Sequence, residues 1–218
     1  MKHNLNAAAQ PQPCDGRAMN RAAYNRISPQ WERARTAFFG REQAYLDTLL
    51  EGLSPRSTIL DAGCGTGRPM AEYVIARGHR ILGIDQSEEL LAKARARFPE
   101  EQWVHAALET YAFEEPCAVA ILWDALFHIE RAHHVAILEH MSRCLTSGGR
   151  LMLTVGGSAH PAFTDSMFGE TFFYDSLPPH EVLHLLRGLG LVPIISEFMN
   201  MPTSERDKGR YAIVAEKQ

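Results

Sequence analysis

The sequence predicts an α/β protein with a doubly wound, seven-stranded sheet that is mostly parallel, has an antiparallel last strand and carries helices on both faces. Short apolar segments alternate with amphipathic segments between residues 58 and 155, which is typical of parallel strands joined by helices. A glycine-rich turn follows the first strand. A polar link over residues 200–209 joins the last two strands, as in an antiparallel hairpin.

Local signals predict each element in chain order. Runs of apolar residues predict strands at 58–60, 80–84, 102–105, 118–123, 150–155, 192–198 and 211–216. Apolar residues at helical spacing predict helices at 69–77, 87–97, 131–145 and 178–189. Ser87 is expected to cap the second of these helices, because Glu88 and Glu89 follow it in the first turn.

The segments around this alternation predict the domain organisation. Residues 1–18 contain prolines and little apolar periodicity, so we expect a mobile tail before a single domain at 19–218. Residues 19–53 are helical in pattern and predict an N-terminal cap, with Ser28 and Pro29 at a helix start. Residues 156–177 combine glycines, serines and aromatics without a clear period, and we interpret them as a lid-like insertion.

Composition narrows the class of protein. A chain of 218 residues with 45% apolar and 22% charged residues suits one soluble domain. The net charge of -4 and the lack of a basic stripe argue against nucleic-acid partners. The longest apolar stretch, at 117–123, is too short to cross a membrane, and no signal peptide is evident, so we expect a cytoplasmic protein. Four widely spaced cysteines indicate neither a zinc knuckle nor a disulfide framework.

The glycine turn at residues 59–70, Ile-Leu-Asp-Ala-Gly-Cys-Gly-Thr-Gly-Arg-Pro-Met, carries the strongest functional signal. Alternate glycines allow a sharp turn and a close approach of the backbone to a ligand. Asp85 ends the next strand about 20 residues later, where an acid can accept hydrogen bonds from ribose hydroxyls. The order of these features predicts a ligand that contains a nucleoside. Arg68 stands where the NAD fingerprint has its third glycine, so the match to a dinucleotide site is imperfect.

Segments 59–70 and 83–87 closely resemble motif I and the second-strand acid of the class I S-adenosylmethionine-dependent methyltransferases. Segments 103–113, 121–129 and 147–153 resemble later elements of the same family, in the same order. The resemblance covers roughly residues 20 to 216 and is strongest to the small-molecule methyltransferases. It implies S-adenosylmethionine as the cofactor and methyl transfer to a small-molecule acceptor as the reaction.

The resemblance also implies a set of cofactor-binding residues. Asp61 and the glycine turn would lie near the methionyl part, Asp85 would hold the ribose, and Trp123 would border the sulfonium. The implied set is Asp61, Gly63, Cys64, Gly65, Gly67, Asp85, Gln86, Ala107, Leu108 and Trp123. Many relatives carry an acid where this chain has Ala107. Glu109 or the backbone would then recognise the adenine amino group.

Two residues after the fourth strand are catalytic candidates. Methyl transfer is an in-line displacement that needs an aligned acceptor and, for a weakly acidic acceptor, removal of a proton. No metal is intrinsically required. His128 lies where ligands bind in such sheets and has a suitable pKa for a general base, although it would serve equally to hydrogen-bond the loop. Asp124 is expected either to position the backbone near the cofactor or to act as the base.

Aromatic residues in the cap and in the lid predict an apolar acceptor pocket. At least half of them are expected to belong to the core instead. The residues that we expect to contact substrate are Tyr24, Trp31, Phe127, His160 and Phe173. His160 is a second candidate for proton transfer.

A zinc-protease pattern, His-Glu-x-x-His, occurs at His180, Glu181 and His184. The two histidines would share one helix face, as zinc ligation requires. However, prolines precede the first histidine, several leucines of the segment form a packing face, and no clear third ligand follows. We therefore predict no metal site.

Two other functions stay open at this point. A nicotinamide-dependent oxidoreductase would need glycine at Arg68 and a Tyr/Lys pair, neither of which is evident. A non-catalytic cofactor-binding or regulatory protein is mildly favoured by Ala107. An Asn/Asp-Pro-Pro-Tyr element, typical of enzymes that methylate DNA amino groups, is absent from the sequence. The acceptor and the oligomeric state do not follow from the sequence.

Overall fold

The structure, a computed structural model, describes residues 15–113, 116–203 and 207–218. The strands of its main sheet are β1 (Thr58–Ala62), β2 (Arg80–Asp85), β3 (Gln102–His105), β4 (Cys117–Leu122), β5 (Leu145–Gly156), β8 (Leu191–Asn200) and β9 (Arg210–Lys217). They lie in the order β3-β2-β1-β4-β5-β9-β8. The pairs among β1 to β5 are parallel, whereas β9 runs antiparallel to both β5 and β8. The predicted fold class, with its antiparallel last strand, is confirmed.

A second, two-stranded sheet corrects the interpretation of residues 156–177 as irregular. Strands β6 (Phe163–Met167) and β7 (Glu170–Tyr174) form an antiparallel hairpin. The two linking residues, Phe168 and Gly169, both have positive φ angles, of 51° and 84°. Positive angles at both positions are typical of a type I′ turn, which usually contains Asn-Gly or Asp-Gly. The Phe-Gly pair lacks that signal, so the hairpin was not predicted.

Six α-helices surround the sheets in the part of the chain that the structure describes. They are α1 (Gly16–Ala34), α2 (Glu42–Leu50), α3 (Met70–Ala76), α4 (Glu88–Arg97), α5 (His134–Cys144) and α6 (Pro179–Gly188). Buried side chains of α2, α3 and α4 pack on one face of the main sheet, and those of α5 and α6 pack on the other. Ser87 caps α4, since its Oγ accepts a hydrogen bond from the Leu90 N–H at 3.3 Å.

Helix α1 corrects two predictions about the N-terminal segment. It begins at Gly16, where Asp15 caps it through a 3.0 Å hydrogen bond from the Ala18 N–H, so the predicted boundary after residue 18 is three residues late. Residues 1–14 of the predicted tail lie outside the described residues. Pro29 lies inside α1 and does not start a helix. The turns before it bury Ala23 and Ile27 against the hairpin, and this packing outweighs the local cost of a helical proline.

Helix α2 corrects the extent of the cap. The predicted cap covered residues 19–53, but α2 buries Tyr45, Leu46 and Leu49 completely or almost completely against the main sheet. Of the two helices in the predicted cap, only α1 can therefore serve as a cap. This helix packs on the β6–β7 hairpin through Ala23, Ile27 and Phe172.

The strand order reverses between β1 and β4, and the carboxyl ends of both strands face the same crevice. Crevices of this kind are where open α/β sheets bind ligands. Among the described residues, no helix has both the length and the apolar character that a membrane crossing requires. The cytoplasmic location stays a prediction.

Candidate active site

The glycine turn after β1 is held close to the turn after β4. Gly63, Gly65 and Gly67 have φ angles of 82°, 55° and 77°, which favour glycine. A Cβ atom on Gly63 would lie 2.4 Å from the Cβ of Ala125, so a side chain would push the two turns apart. The amide of Gly65 donates to Asp85 Oδ2 at 2.9 Å. Through these contacts, β1, β2 and β4 together form one wall of a cavity.

This inner cavity has a volume of about 100 Å³ and lies at the carboxyl ends of the strands. Eight of the ten predicted cofactor-binding residues line it: Asp61, Gly63, Cys64, Gly65, Asp85, Gln86, Leu108 and Trp123. The cavity is also lined by residues that the motifs did not indicate, among them Arg35, Arg68, Ala106 and Glu109.

The structure places the other two predicted residues outside the lining. Gly67 faces the rings of Trp103 and Phe98, which would lie 3.1 and 3.2 Å from a Cβ at this position. The absence of a side chain at position 67 therefore allows these two rings to pack closely against the backbone. The carbonyl of Ala107 accepts hydrogen bonds from the amides of the tight turn that follows it, and Ala106 lines the cavity instead. The lining residue is thus shifted by one position from the one that the resemblance implied. This shift depends on the path of the backbone after β3, which the motif does not specify.

One buried carboxyl group (Asp61) and two half-buried ones (Asp85 and Asp124) give the inner cavity an acidic character. Burial and the nearby charge of Asp85 together raise the pKa of Asp61 to about 7. Burial also raises the pKa of Asp85, against hydrogen bonds from the amides of Ser87 (2.8 Å) and Gly65. The pKa of Asp124 is raised by burial, and the positive charge of Arg210 opposes this shift. A cationic ligand would stabilise the ionised form of all three groups.

A buried carboxylate from α2 connects the inner cavity to two arginines. Arg35 Nη2 donates to Glu42 Oε1 at 2.8 Å, and the Trp123 indole N–H donates to the same oxygen at 2.9 Å. Arg210 Nη2 lies 3.5 Å from it. Glu42 is fully buried and Arg35 is almost so. No sequence motif indicated either residue, because their proximity to β4 arises only when α1 and α2 pack on the sheet.

A second, outer cavity of about 570 Å³ lies between α1, the β6–β7 hairpin and the link between β8 and β9. Four of the five predicted substrate residues line it: Tyr24, Trp31, Phe127 and His160. Aromatic rings form part of its wall. The Phe163 and Tyr174 rings stack at 5.2 Å, and the Phe127 and Tyr174 rings at 6.3 Å.

The fifth predicted substrate residue, Phe173, does not line the outer cavity, so this prediction is wrong. Its ring lies against Gly16 at the start of α1, outside the outer cavity. Successive side chains of a strand point to opposite faces, so Tyr174 faces the cavity and Phe173 does not. The backbone of Phe173 still matters, because its carbonyl accepts hydrogen bonds from Asn20 and lies 3.1 Å from His128 Nδ1.

His128 is at the junction of the two cavities, and both of its ring nitrogens are engaged. Its Nε2 lies 3.0 Å from the Tyr24 hydroxyl oxygen, and its Nδ1 faces the Phe173 carbonyl. Burial lowers the pKa of His128 to about 4 and raises that of Tyr24. The neutral imidazole therefore donates a hydrogen bond from Nδ1 to the Phe173 carbonyl, and Nε2 accepts a hydrogen bond from the Tyr24 hydroxyl. Buried Asn20 donates to the His128 carbonyl at 2.8 Å and holds α1 in place.

Asp124 also faces both cavities and has an uncommon backbone conformation, with φ at 51°. Its amide donates to the fully buried Thr154 Oγ1 at 2.7 Å, and that hydroxyl donates to Asp124 Oδ1 at 3.1 Å. Arg210 Nη2 donates to Asp124 Oδ2 at 2.8 Å. Positive φ at a residue other than glycine is concentrated at functional sites, where surrounding contacts stabilise it.

The His-Glu-x-x-His segment lies on α6, away from both cavities. His180, Glu181 and His184 are all exposed to solvent. Within residues 15–113, 116–203 and 207–218, no group of three potential metal ligands occurs.

This chain is similar in sequence to known methyltransferases. A family model described as a methyltransferase domain matches residues 59–149. The ubiquinone biosynthesis O-methyltransferase of Nitrosomonas europaea is 26% identical over 68% of this chain and 68% of its own length. The trans-aconitate 2-methyltransferase of Azoarcus sp. is 30% identical over 57% of this chain and 50% of its own length. The chain therefore spans half to two thirds of these curated relatives.

A solved structure shares the fold over nearly the whole chain. The 1,6-didemethyltoxoflavin-N1-methyltransferase of Burkholderia thailandensis, solved with 1,6-didemethyltoxoflavin and S-adenosylhomocysteine bound, has a TM-score of 0.70 and 22% identity. The match covers 99% of this chain and 98% of that one. The matched methyltransferase domain and these relatives support a class I S-adenosylmethionine-dependent methyltransferase. The family, the enzyme class and the cofactor expected from the sequence are thereby confirmed.

Proposed function

We propose that this protein transfers a methyl group from S-adenosylmethionine in the inner cavity to a small molecule in the outer cavity. The observation that carries this proposal is the junction between the cavities, which share Tyr24, Trp31, Asp124 and His128 as lining residues. An in-line displacement needs donor and acceptor to meet at one point with water excluded. Two adjoining cavities with common walls provide that arrangement.

The inner cavity fits the chemistry of S-adenosylmethionine. Its carboxyl groups favour a ligand with positive charge, as the sulfonium and ammonium groups provide. The Oε1 atom of Gln86 is buried without a hydrogen-bond partner among the described residues, and a ligand donor would satisfy it. When bound, the cofactor would supply an electrophilic methyl carbon for the lone pair of the acceptor, with its sulfur as the leaving group.

Five of the residues that line this cavity have proposed roles in binding the cofactor. Asp61 would attract the ammonium group, Asp85 would accept from the ribose hydroxyls, and Leu108 would flank the adenine. Arg35 is the proposed partner of the carboxylate group, because its guanidinium is buried at the cavity wall. Glu109 lines the cavity and replaces the acid that is missing at position 107 as the proposed partner of the adenine amino group.

At the junction, Tyr24 is the proposed catalytic residue and His128 the residue that positions it. The Tyr24 hydroxyl donates to His128 Nε2, so its oxygen lone pairs can face the electropositive sulfonium methyl group of the donor. Asp124 would hold the turn after β4 beside the sulfonium. Helix α1 and the β6–β7 hairpin would exclude water from this point, which is the role that we propose for the predicted cap and lid within a single domain.

A radiolabelled methyl group tests the proposal. Calorimetry should show binding of S-adenosylmethionine and no binding of NAD, and label should reach at least one member of a panel of small carboxylic acids, phenols and amines. Tyr24→Phe should lower the transfer rate by about 10- to 100-fold, with S-adenosylhomocysteine affinity within about threefold of wild type. Tyr211→Phe, on β9 and outside both cavities, is the matched control.

Two outcomes would contradict the proposal. An absence of S-adenosylmethionine binding would reject the assigned inner cavity. Binding without transfer to any member of the panel would favour the non-catalytic alternative.

A further inference from the structure

We infer that the acceptor is a carboxylate with a flat, unsaturated body, and that Arg210 binds its carboxylate group in the outer cavity. This inference rests on the proposed function, since it names the class of molecule that fills the second cavity. The residue that carries it, Arg210, belongs to no recognised sequence motif.

Arg210 has unused hydrogen-bonding capacity at the wall of the outer cavity. It lies at the start of β9, lines the cavity, and has a side chain that is 29% exposed. Its Nη2 is engaged by Asp124 and lies near Glu42. Its Nε is buried and has no hydrogen-bond partner in the described part of the chain. Buried donors are nearly always satisfied, and a planar guanidinium suits a carboxylate oxygen.

The position of Arg210 places such an anion beside the point of transfer. The guanidinium is bonded at 2.8 Å to Asp124, which lines both cavities. A carboxylate bound at the neighbouring Nε would therefore lie next to the junction. The same salt bridge keeps Asp124 from repelling the incoming anion.

The other acidic side chains of this wall are Asp165, Asp175 and Asp207, and all three are engaged. Asp165 accepts a hydrogen bond from the Ser166 amide. Asp175 accepts hydrogen bonds from the amide and side chain of Arg131, and Asp207 accepts from the Asn200 side chain. Lys208 lines the same cavity and adds positive charge. The electrostatic cost of admitting an anion is thereby reduced.

The side chains at the junction suit an acceptor that has no proton to lose. Both ring nitrogens of His128 are bonded, and the carboxylate of Asp124 is held by Arg210 and Thr154. A carboxylate acceptor is ionised at neutral pH, since its ordinary pKa is about 4. It therefore needs alignment and no general base. The low pKa of His128 agrees with a positioning role.

The aromatic wall defines the body of the acceptor. The Phe163 and Tyr174 rings are nearly parallel, with an interplanar angle of 14°, and the Phe127 ring lies at 25° to that of Tyr174. Nearly parallel rings offer flat faces, against which a planar molecule packs better than a branched one.

Calorimetry on the 218-residue protein saturated with S-adenosylhomocysteine tests the inference, with trans-cinnamate and 2-naphthoate as probes and their primary amides as neutral counterparts. For wild type, we expect each acid to bind at least about 10-fold more tightly than its amide. Arg210→Gln should abolish this preference and leave the affinities for the amides and for S-adenosylhomocysteine within about threefold. Arg187→Gln, at an exposed position on α6, should retain the preference.

The inference would be overturned if wild-type protein bound the amides and the acids equally. It would also be overturned if Arg210→Gln kept the preference for the acids. If the glutamine variant does not fold, Arg210→Lys and the wild-type comparison decide. Failure of wild type to bind S-adenosylhomocysteine would reject the proposed function itself. Binding of S-adenosylhomocysteine together with methylation of neutral acceptors only would reject this inference alone.

Discussion

The two cavities of this protein are built from different kinds of structure. The inner cavity is small, about 100 Å³, and much of its wall comes from the turns that follow β1, β2 and β4. The outer cavity is about 570 Å³, and its walls come from α1, the β6–β7 hairpin and the link before β9. Binding residues on segments outside a rigid sheet can change without disturbing its core. This difference fits the proposal that the sheet binds the methyl donor and that the attached segments select the acceptor.

The two cavities also differ in charge. Carboxyl groups with raised pKa values dominate the inner cavity, which suits a cation. In the outer cavity, the acids have partners, and Arg210 keeps an unsatisfied donor, which suits an anion. If this division is correct, substitutions in one cavity will leave binding in the other largely unchanged.

The largest effect is expected from Asp85→Ala. This change removes a carboxylate that accepts hydrogen bonds from Gly65 and Ser87 and that we assign to the ribose. Loss of two charge-assisted hydrogen bonds to a ligand should weaken S-adenosylhomocysteine binding by about 100-fold or more, as measured by calorimetry. Asp47→Ala, at an exposed ion pair with Arg77, serves as the control. An affinity within about threefold of wild type would remove Asp85 from the site.

The next effect is a pH dependence that comes from Asp61. Because burial raises its pKa to about 7, the folded protein keeps a proton on this carboxyl that the unfolded chain loses near pH 4. The free energy of unfolding should therefore fall as the pH rises from about 4 to 7. Asp61→Asn should remove this loss, and at pH 8 the variant should be more stable than wild type by up to ~4 kcal/mol. Denaturant titrations at several pH values measure the difference.

Binding should show the opposite response at the same residue. A cation favours the ionised carboxylate, so the affinity of wild type for S-adenosylmethionine should decrease as the pH falls below about 7. Asp61→Asn should weaken binding by about 10-fold at pH 8 and flatten this pH dependence. A wild-type affinity that is constant between pH 6 and 8 would contradict the assigned role.

A smaller effect, confined to the outer cavity, is expected from Phe163→Ala. The change removes one of the stacked rings, so KM for an acceptor identified by the labelling assay should rise about 5- to 10-fold. The affinity for S-adenosylhomocysteine should remain unchanged. Phe198→Ala, at an exposed ring outside both cavities, provides a matched comparison. Weaker S-adenosylhomocysteine binding in the Phe163 variant would show that the cavities are not independent.

The smallest effect is expected from Ala107→Asp. The family resemblance suggested that an acid here would contact the adenine amino group, but Ala106 and Glu109 line the inner cavity and Ala107 does not. We therefore expect an affinity for S-adenosylmethionine within about twofold of wild type by calorimetry. A tenfold gain would show that the chain after β3 shifts when ligand binds.

Sequence reasoning worked best where local rules determine the structure. The glycine turn, Asp85 and the Ser87 cap lie where the motif and the capping rules placed them. It failed at the β6–β7 hairpin, whose Phe168-Gly169 turn lacks the usual residues. It also failed at Pro29, where burial of the preceding turns keeps α1 continuous. In both cases, packing between distant segments outweighed the local preference.

By itself, the sequence determined the sheet, the glycine turn and the family, because alternating hydrophobicity and fixed motif spacing depend on residues that are close in the chain. Only the tertiary structure decided that Tyr24 meets His128, that Arg35 meets Glu42, and that Arg210 reaches Asp124. These pairs are up to 104 residues apart in the chain. Their contacts form only when α1, the hairpin and β9 pack around the ends of the strands, and no local pattern encodes that packing.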